Sequence, residues 1–369
     1  MKKSTYLIAL ALGASTITFA QNVGINTDGS DPDSDAILHI NNHSGSSADS
    51  SIIRIENEQN GANDVTGVEI YNSGTGATAK WDIYNPASGS TDLRIKGNGS
   101  DHVTIQNDGD VGISTTTPAS GLDVQTSMGL AHAVVNTTPV TLDQDDNVVL
   151  VDDAGADRTI NLPPASSNSG KVYYIKKTNS SENEITIDGN STETIDGALT
   201  VVLYVQYDAI RILCDGANWH IIADERIPHR CLLERNTAQS ISNNTVTDIN
   251  FNNELIDVGG IGDPTTNFRI DIKRAGDYLI TGFVALPSID DQDNIVTRIK
   301  INGANRLFLR TSLSDDATGN RDVTGNPSGV FNLSAGDFVE ISVWHNEGSA
   351  IDTRTLTSLK CSLSVQEIR

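Results

Sequence analysis

Residues 333–346 read LSAGDFVEISVWHN, and the run from Phe338 to Trp344 decides the fold class. Val339, Ile341 and Val343 alternate with Glu340 and Ser342, a period of two that puts the apolar side chains on one face of an extended strand. Working outward, Phe268, Ile270 and Ile272 alternate in the same way with Arg269, Asp271 and Lys273. Beyond residues 1–20 no segment sustains apolar spacing at i, i+3, i+4 and i+7. Clusters of Gly, Asn, Asp and Ser separate the alternating runs and supply turns. The chain reads as all-β.

Its first residues, MKKSTYLIALALGASTITFA, are of another kind. Lys2 and Lys3, an uncharged and mostly apolar run from Tyr6 to Ala14, and Thr18-Phe19-Ala20 make the pattern of a secretory signal, with cleavage expected between Ala20 and Gln21. No later apolar run approaches the ~20 residues that cross a bilayer as a helix, and no Cys follows Ala20 to take a lipid. The expectation is a soluble protein outside the cytoplasm, secreted or held at the cell surface.

The 369 residues carry 25 Lys and Arg against 48 Asp and Glu, a net charge of −23. Such a surface repels nucleic acid and anionic lipid. The acids either keep a secreted protein soluble or bind divalent cations. Three cysteines, Cys214, Cys231 and Cys361, show no CxxC spacing, so the chain is not a disulfide scaffold. Leu359, Cys361, Leu363 and Val365 share one strand face, which fits a buried thiol; a bridge from Cys361 to Cys231 is the other reading.

Four zones differ in texture. Residues 1–20 are the signal. Residues 21–128 offer short strand pieces with few large side chains, among them SIIRIEN, GVEIYN, KWDIYN, DLRIKG and HVTIQNDGDVGI. Such a segment buries too little apolar area alone to offset ~1–2 kcal/mol of backbone entropy per residue. It either borrows burial from neighbouring chains, as a fibrous β stalk does, or is a disordered linker. Residues 129–226 carry longer runs (NVVLVDD, KVYYIKK, EITIDG) and a tight turn at Asp215-Gly216, and read as a compact β-domain. Residues 227–369 hold dense apolar faces, with Tyr278, Ile280, Val284, Ile299 and Ile301 assigned to a core and Phe283, Phe338 and Trp344 falling opposite it.

One phrase is written twice. Val23-Gly24-Ile25 with Thr27, Pro32, Leu38 and Ile40 is echoed by Val111-Gly112-Ile113 with Thr115, Pro118, Leu122 and Val124. The phrase resembles one found in phage tail fibres and in exported proteins of Bacteroidota, where it marks a joint in a trimeric stalk; Asn26 and Ser114 stand where that phrase has a second Gly. Residues 157–163, 171–177 and 219–222 also resemble tail-fibre material. Ala275 to Gly282 (AGDYLITG), Ile301 to Gly303 (ING), Leu333 to Asn346 and the terminal strand SLKCSLSVQEI resemble the jelly roll of tumour necrosis factor and of the globular head of complement component one q. That resemblance implies a C-terminal jelly-roll sandwich and a parallel homotrimer. No collagen-like tract precedes the head, a departure from the complement pattern.

Motifs of chemistry are missing. G-x-S-x-G, H-E-x-x-H, the phosphate loop ending in Gly-Lys-Ser/Thr and paired Cys motifs do not occur. Gly74-x-Gly76 has Ala79 where a third Gly belongs and no helix behind it. The histidines at 39, 43, 102, 132, 220, 229 and 345 sit one at a time. Asp31, Asp33 and Asp35 have the spacing of a calcium loop but lack its Gly at Ala36 and its Glu at Asn42. Asp290, Asp291 and Asp293 lie together on an expected loop and are the calcium candidates, a solvated acidic turn being the alternative. No catalytic or cofactor-binding residue is nominated. The expected function is a trimeric, fibre-like structural or adhesion protein whose head binds a glycan or a cell-surface protein. The alternatives are a polysaccharide-acting enzyme with a site between chains, or a phage-derived virion fibre, against which the signal sequence argues.

Overall fold

A computed structural model describes residues 23–26, 38–41, 66–72, 79–86, 90–290, 293–312, 321–356 and 359–369. Every regular element among them is a strand, apart from one short 3-10 turn at Ala165–Ser167. The chain is all-β. It divides into two compact units at Met128 and Gly129. Residues 1–20, the proposed cleavage point at Ala20 and Gln21, the SIIRIEN run and the aspartates 31, 33 and 35 lie outside the described residues.

In the first unit the two strands of the repeated phrase pair the same way in both copies. Strands β1 (Val23–Asn26) and β2 (Leu38–Asn41) pair in parallel, with Val23 opposite Leu38 and Ile25 opposite Ile40. A six-stranded sheet follows, built from β3 (Thr66–Asn72), β4 (Ala79–Asn85), β5 (Leu93–Gly97), β6 (Ser100–Ile105), β7 (Val111–Ile113) and β8 (Leu122–Val124) in sequence order. Its last pair, β7 with β8, is again parallel, with Val111 opposite Leu122 and Ile113 opposite Val124. A side chain at Gly112 would place its Cβ 2.5 Å from the Thr115 carbonyl oxygen, because the chain folds back over this point. That close approach is why the phrase needs glycine between its two apolar residues.

The second unit begins with strands β9 (His132–Val135), β10 (Val140–Thr141), β11 (Val148–Val151), β12 (Arg158–Asn161), β13 (Val172–Lys177) and β14 (Ile185–Asp188). They alternate between two sheets, so β9, β11 and β13 stack in parallel on one side and β10, β12 and β14 on the other. This is the winding of a short β-helix. Antiparallel strands β15 (Thr200–Leu203), β16 (Ala209–Cys214) and β17 (Trp219–Asp224) close it. Asp215-Gly216 makes the turn between β16 and β17, with Gly216 at φ 97°. Between the sheets lie Val149, Val151, Ile160, Ile175, Ile187 and Ile212, and Tyr173 stacks on Trp219 at 5.4 Å. Lys177 is fully buried and pairs with the buried Asp153.

The remaining strands are β18 (Arg230–Glu234), β19 (Ser240–Ile241), β20 (Thr247–Asp248), β21 (Asn253–Val258), β22 (Gly262–Asp263), β23 (Arg269–Asp271), β24 (Gly276–Ile289), β25 (Asn294–Ile301), β26 (Ala304–Ser312), β27 (Arg321–Gly325), β28 (Ser328–Leu333), β29 (Phe338–His345), β30 (Ile351–Asp352) and β31 (Ser362–Ile368). One sheet runs β21-β18-β31-β24, with β27 and β28 on successive parts of β24. The other runs β22-β23-β29-β25-β26. Counting β18, β23, β24, β25, β26, the β27–β28 pair, β29 and β31 as first to eighth, the orders are 1-8-3-6 and 2-7-4-5. That is a jelly roll. Its core holds Tyr278, Ile280, Val284, Ile299 and Ile301, while Phe283, Phe338 and Trp344 are only half-buried on the outward faces. Asn302-Gly303, at φ 54° and 74°, makes the two-residue turn from β25 to β26.

The β-helix and the jelly roll meet in a polar seam. Arg274 reaches Asp208 at 3.4 Å, Glu367 at 3.1 Å and the Ile227 carbonyl at 3.3 Å. Tyr204 donates its hydroxyl to the Lys273 carbonyl, and Arg369 pairs with Asp224 at 3.2 Å.

Candidate functional site and interaction surfaces

Asp290 and Asp293 lie where the sequence suggests, on the loop between β24 and β25; Asp291 lies outside the described residues. The loop is tied to the residues after β29. The Asp290 N–H donates to Glu347 at 2.9 Å, and the Asn346 amide donates to the Asp293 carboxylate at 2.9 Å. Burial, together with the neighbouring Asp290 and Asp293 carboxylates, raises the Glu347 carboxyl above its ordinary range. Among the described residues no group of three or more His, Cys, Asp or Glu side chains is placed to hold a metal ion.

The described histidines stand in separate surroundings. His102 packs on Trp81, with ring centres 5.5 Å apart. His220 sits on the surface 2.8 Å from Asp215 and 3.6 Å from Asp196, and its pKa is raised chiefly by the hydrogen bond to Asp215. His345 is buried against the Ile241 carbonyl. His229 is fully buried, edge-on to Tyr204, with neither ring nitrogen hydrogen-bonded. All three cysteines are buried free thiols, so Cys231 and Cys361 are not bridged. Desolvation raises all three above the ordinary thiol range, Cys361 to about 11, which leaves them protonated and unreactive.

What the chain does display is surface. In the sheet of β3 to β8, register and alternation put Val68, Ile70, Trp81, Ile83, Leu93 and Ile105 on one face. The opposite face carries Glu69, Lys80, Asp82, Arg94, Lys96 and Asp101. Ile70 is 58% exposed and Trp81 44% exposed, so the apolar face of a whole sheet is open in a single chain.

The head has a second such surface. On the outward side of the β21-β18-β31-β24-β28 sheet, Leu232 lies opposite Ile256 and Ser364, Thr281 lies opposite Ser364, and Leu279 lies opposite Val330. Ile256, Leu279 and Val330 are exposed. These residues form a mostly apolar band, with Arg230 beside Gln366 in the row of Leu279.

The outward side of the other sheet differs. Arg298 lies between Ser342 and Phe308, and Val296 between Trp344 and Arg310. The apolar faces read from alternation miss Phe308, which points away from the core. The signal that marks this hairpin is charge: Asn294 to Ser312 holds Arg298, Lys300, Arg306 and Arg310 and no acid.

No family model and no curated protein matches the chain. Among solved structures it is similar to murine APRIL at pH 5.0, at 15% identity and a TM-score of 0.30, covering 38% of this chain and 100% of that one. It is also similar to Eiger TNF from S. frugiperda, at 13% identity and a TM-score of 0.30, covering 39% of this chain and 94% of that one. The jelly-roll assignment rests on the strand order given above. No helix among the described residues is long and apolar enough to cross a membrane.

Proposed function

We propose that the chain is an exported, fibre-like protein that assembles as a parallel homotrimer, with residues 21–128 as stalk and the jelly roll as a non-enzymatic head for a glycan or a cell-surface protein. One observation carries the reading: the apolar face of Val68, Ile70, Trp81 and Ile83 is open in the single chain. Large open apolar faces are rare on monomers, and three copies of one sheet turned toward a common axis would cover it. The exposed apolar side chains of Ile256, Leu279 and Val330 support self-association of the head as well. The exported character rests on Lys2, Lys3, the apolar run and the expected cleavage between Ala20 and Gln21.

Light scattering on the exported protein tests the assembly. A mass of three chains supports the reading; a stable monomer whose stalk resists protease overturns it. A monomer whose stalk is digested while its head survives means that the stalk is a linker.

A further inference from the structure

Six side chains make a patch two residues tall and three strands wide on the outward side of the β23-β29-β25-β26 sheet. Trp344, Val296 and Arg310 form one row; Ser342, Arg298 and Phe308 form the other. Cross-strand neighbours of this kind are in direct side-chain reach. The patch spans about 10 Å across the strands and about 7 Å along them.

Two arginines lie diagonally across it, beside an exposed aromatic ring. Arg298 is half-buried and donates to the Val296 carbonyl at 3.3 Å. Arg310 donates to the Asn294 side chain at 3.1 Å. Neither guanidinium has a carboxylate partner among the described residues, in a protein with 48 acids. The next cation along β25 shows the contrast, for Lys300 is paired with Asp248 at 2.8 Å and with Glu340 at 3.4 Å. Beside Arg298 the Ser342 hydroxyl is fully buried and unpartnered. Phe308 stands 70% exposed at the rim.

Two guanidinium forks with no carboxylate partner among the described residues match a carboxylate, since each can donate two parallel hydrogen bonds. An exposed aromatic face beside them suits the apolar side of a ring. The area is far below the ~800 Å² per partner of a stable protein interface, and a long polyanion would be repelled by the net charge of −23. A small acidic ring fits each of these conditions. We propose that this patch binds a carboxylated sugar, with its carboxylate on Arg298 and Arg310 and its ring against Phe308. The proposal names the ligand class for the head and rests on reading the head as a binding module.

Calorimetry on the full chain tests it, with a galacturonate trisaccharide, its methyl ester and inorganic phosphate as probes. The acid form is expected to bind about tenfold or more tightly than the ester, a difference of about 1.4 kcal/mol. Arg298→Gln with Arg310→Gln is expected to abolish binding, and Phe308→Ala to weaken it about tenfold with an unchanged melting curve. Should the double variant fail to fold, the ester comparison and Phe308→Ala decide. Absence of acid-form binding, equal affinity for acid and ester, or full displacement by equimolar phosphate overturns the proposal. Retention of a neutral glycan or a protein by the double variant overturns this site while keeping the head a binding module. A monomeric mass removes the fibre reading and leaves this measurement intact.

Discussion

The guanidinium of Arg274 and the carboxylate of Asp208 meet 3.4 Å apart in the seam between the β-helix and the jelly roll, both buried. Asp208 also accepts the backbone N–H groups of Tyr204, Val205 and Ile227, and Arg274 reaches Glu367 in the last strand. One pair therefore ties the β-helix, the connecting segment and the C-terminal strand together. Deleting Arg274 leaves the Asp208 charge buried with only backbone N–H groups to offset it, at a cost of up to ~3–5 kcal/mol. Arg274→Met is expected to lower stability in urea by that amount. Trp219 and Trp344 report on the two lobes separately, and an unchanged midpoint by both would show that the pair does not hold the seam.

His229 makes the same region acid-sensitive. Burial, with Arg274 close by, pushes its imidazole down to about 3, while in the unfolded chain it titrates near ~6.5. On acidification the unfolded state takes up the proton first. Stability is complete above pH ~6.5 and falls toward pH 3, by about 1.4 kcal/mol per pH unit. Between pH 6.5 and 5 the expected loss is about 2 kcal/mol. His229→Leu should remove that slope. A slope between pH 6.5 and 5 that survives the substitution would place the acid sensitivity elsewhere; Glu367, whose pKa is lowered in the fold, adds its own slope only below pH ~4.5.

The apolar face of the stalk sheet gives a third expectation. Ile70→Lys with Ile83→Lys sets two cations among Val68, Trp81 and Leu93 on that face. Limited proteolysis of the full chain should then cut within residues 66–124 while the wild type resists there. A variant as resistant as the wild type would mean that the face is not an interface.

How much of this was legible depends on the range over which the signal acts. Val339, Ile341 and Val343 announce a half-buried strand because alternation is local, and the same rule places Trp344 and Phe338 on the outward side. The Asn302-Gly303 turn is local too, since only a pair tolerant of positive φ fits it. The β-helix winding was not legible. Val148 pairs with His132 on one side and Tyr174 on the other, and nothing in a four-residue strand names partners so far away. The Arg298–Phe308 neighbours meet only through the register that the Asn302-Gly303 turn sets. That no carboxylate among the described residues meets Arg298, like the burial of His229, depends on packing and could not be read from spacing.

The repeated phrase supplies the last prediction. Ser114 sits at φ 60°, where the related phrase has its second glycine, and Gly112 lies against the Thr115 carbonyl. A residue with a Cβ held in this left-handed region costs ~1–2 kcal/mol, while glycine's greater freedom in the unfolded chain takes back ~0.4–1 kcal/mol. Ser114→Gly is therefore expected to stabilise the stalk by about 0.5–1 kcal/mol. Gly112→Ala has the opposite sign, because a Cβ 2.5 Å from a backbone oxygen forces the chain between β7 and β8 to move. The expected cost is ~1–3 kcal/mol. Thermal melting followed at Trp81 in the same six-stranded sheet reads both. If Ser114→Gly lowers the melting temperature, the serine is contributing more than its backbone strain costs. If Gly112→Ala leaves the melting temperature unchanged, the parallel joint between Val111 and Leu122 tolerates a side chain, and close approach to the Thr115 carbonyl is not what requires glycine there.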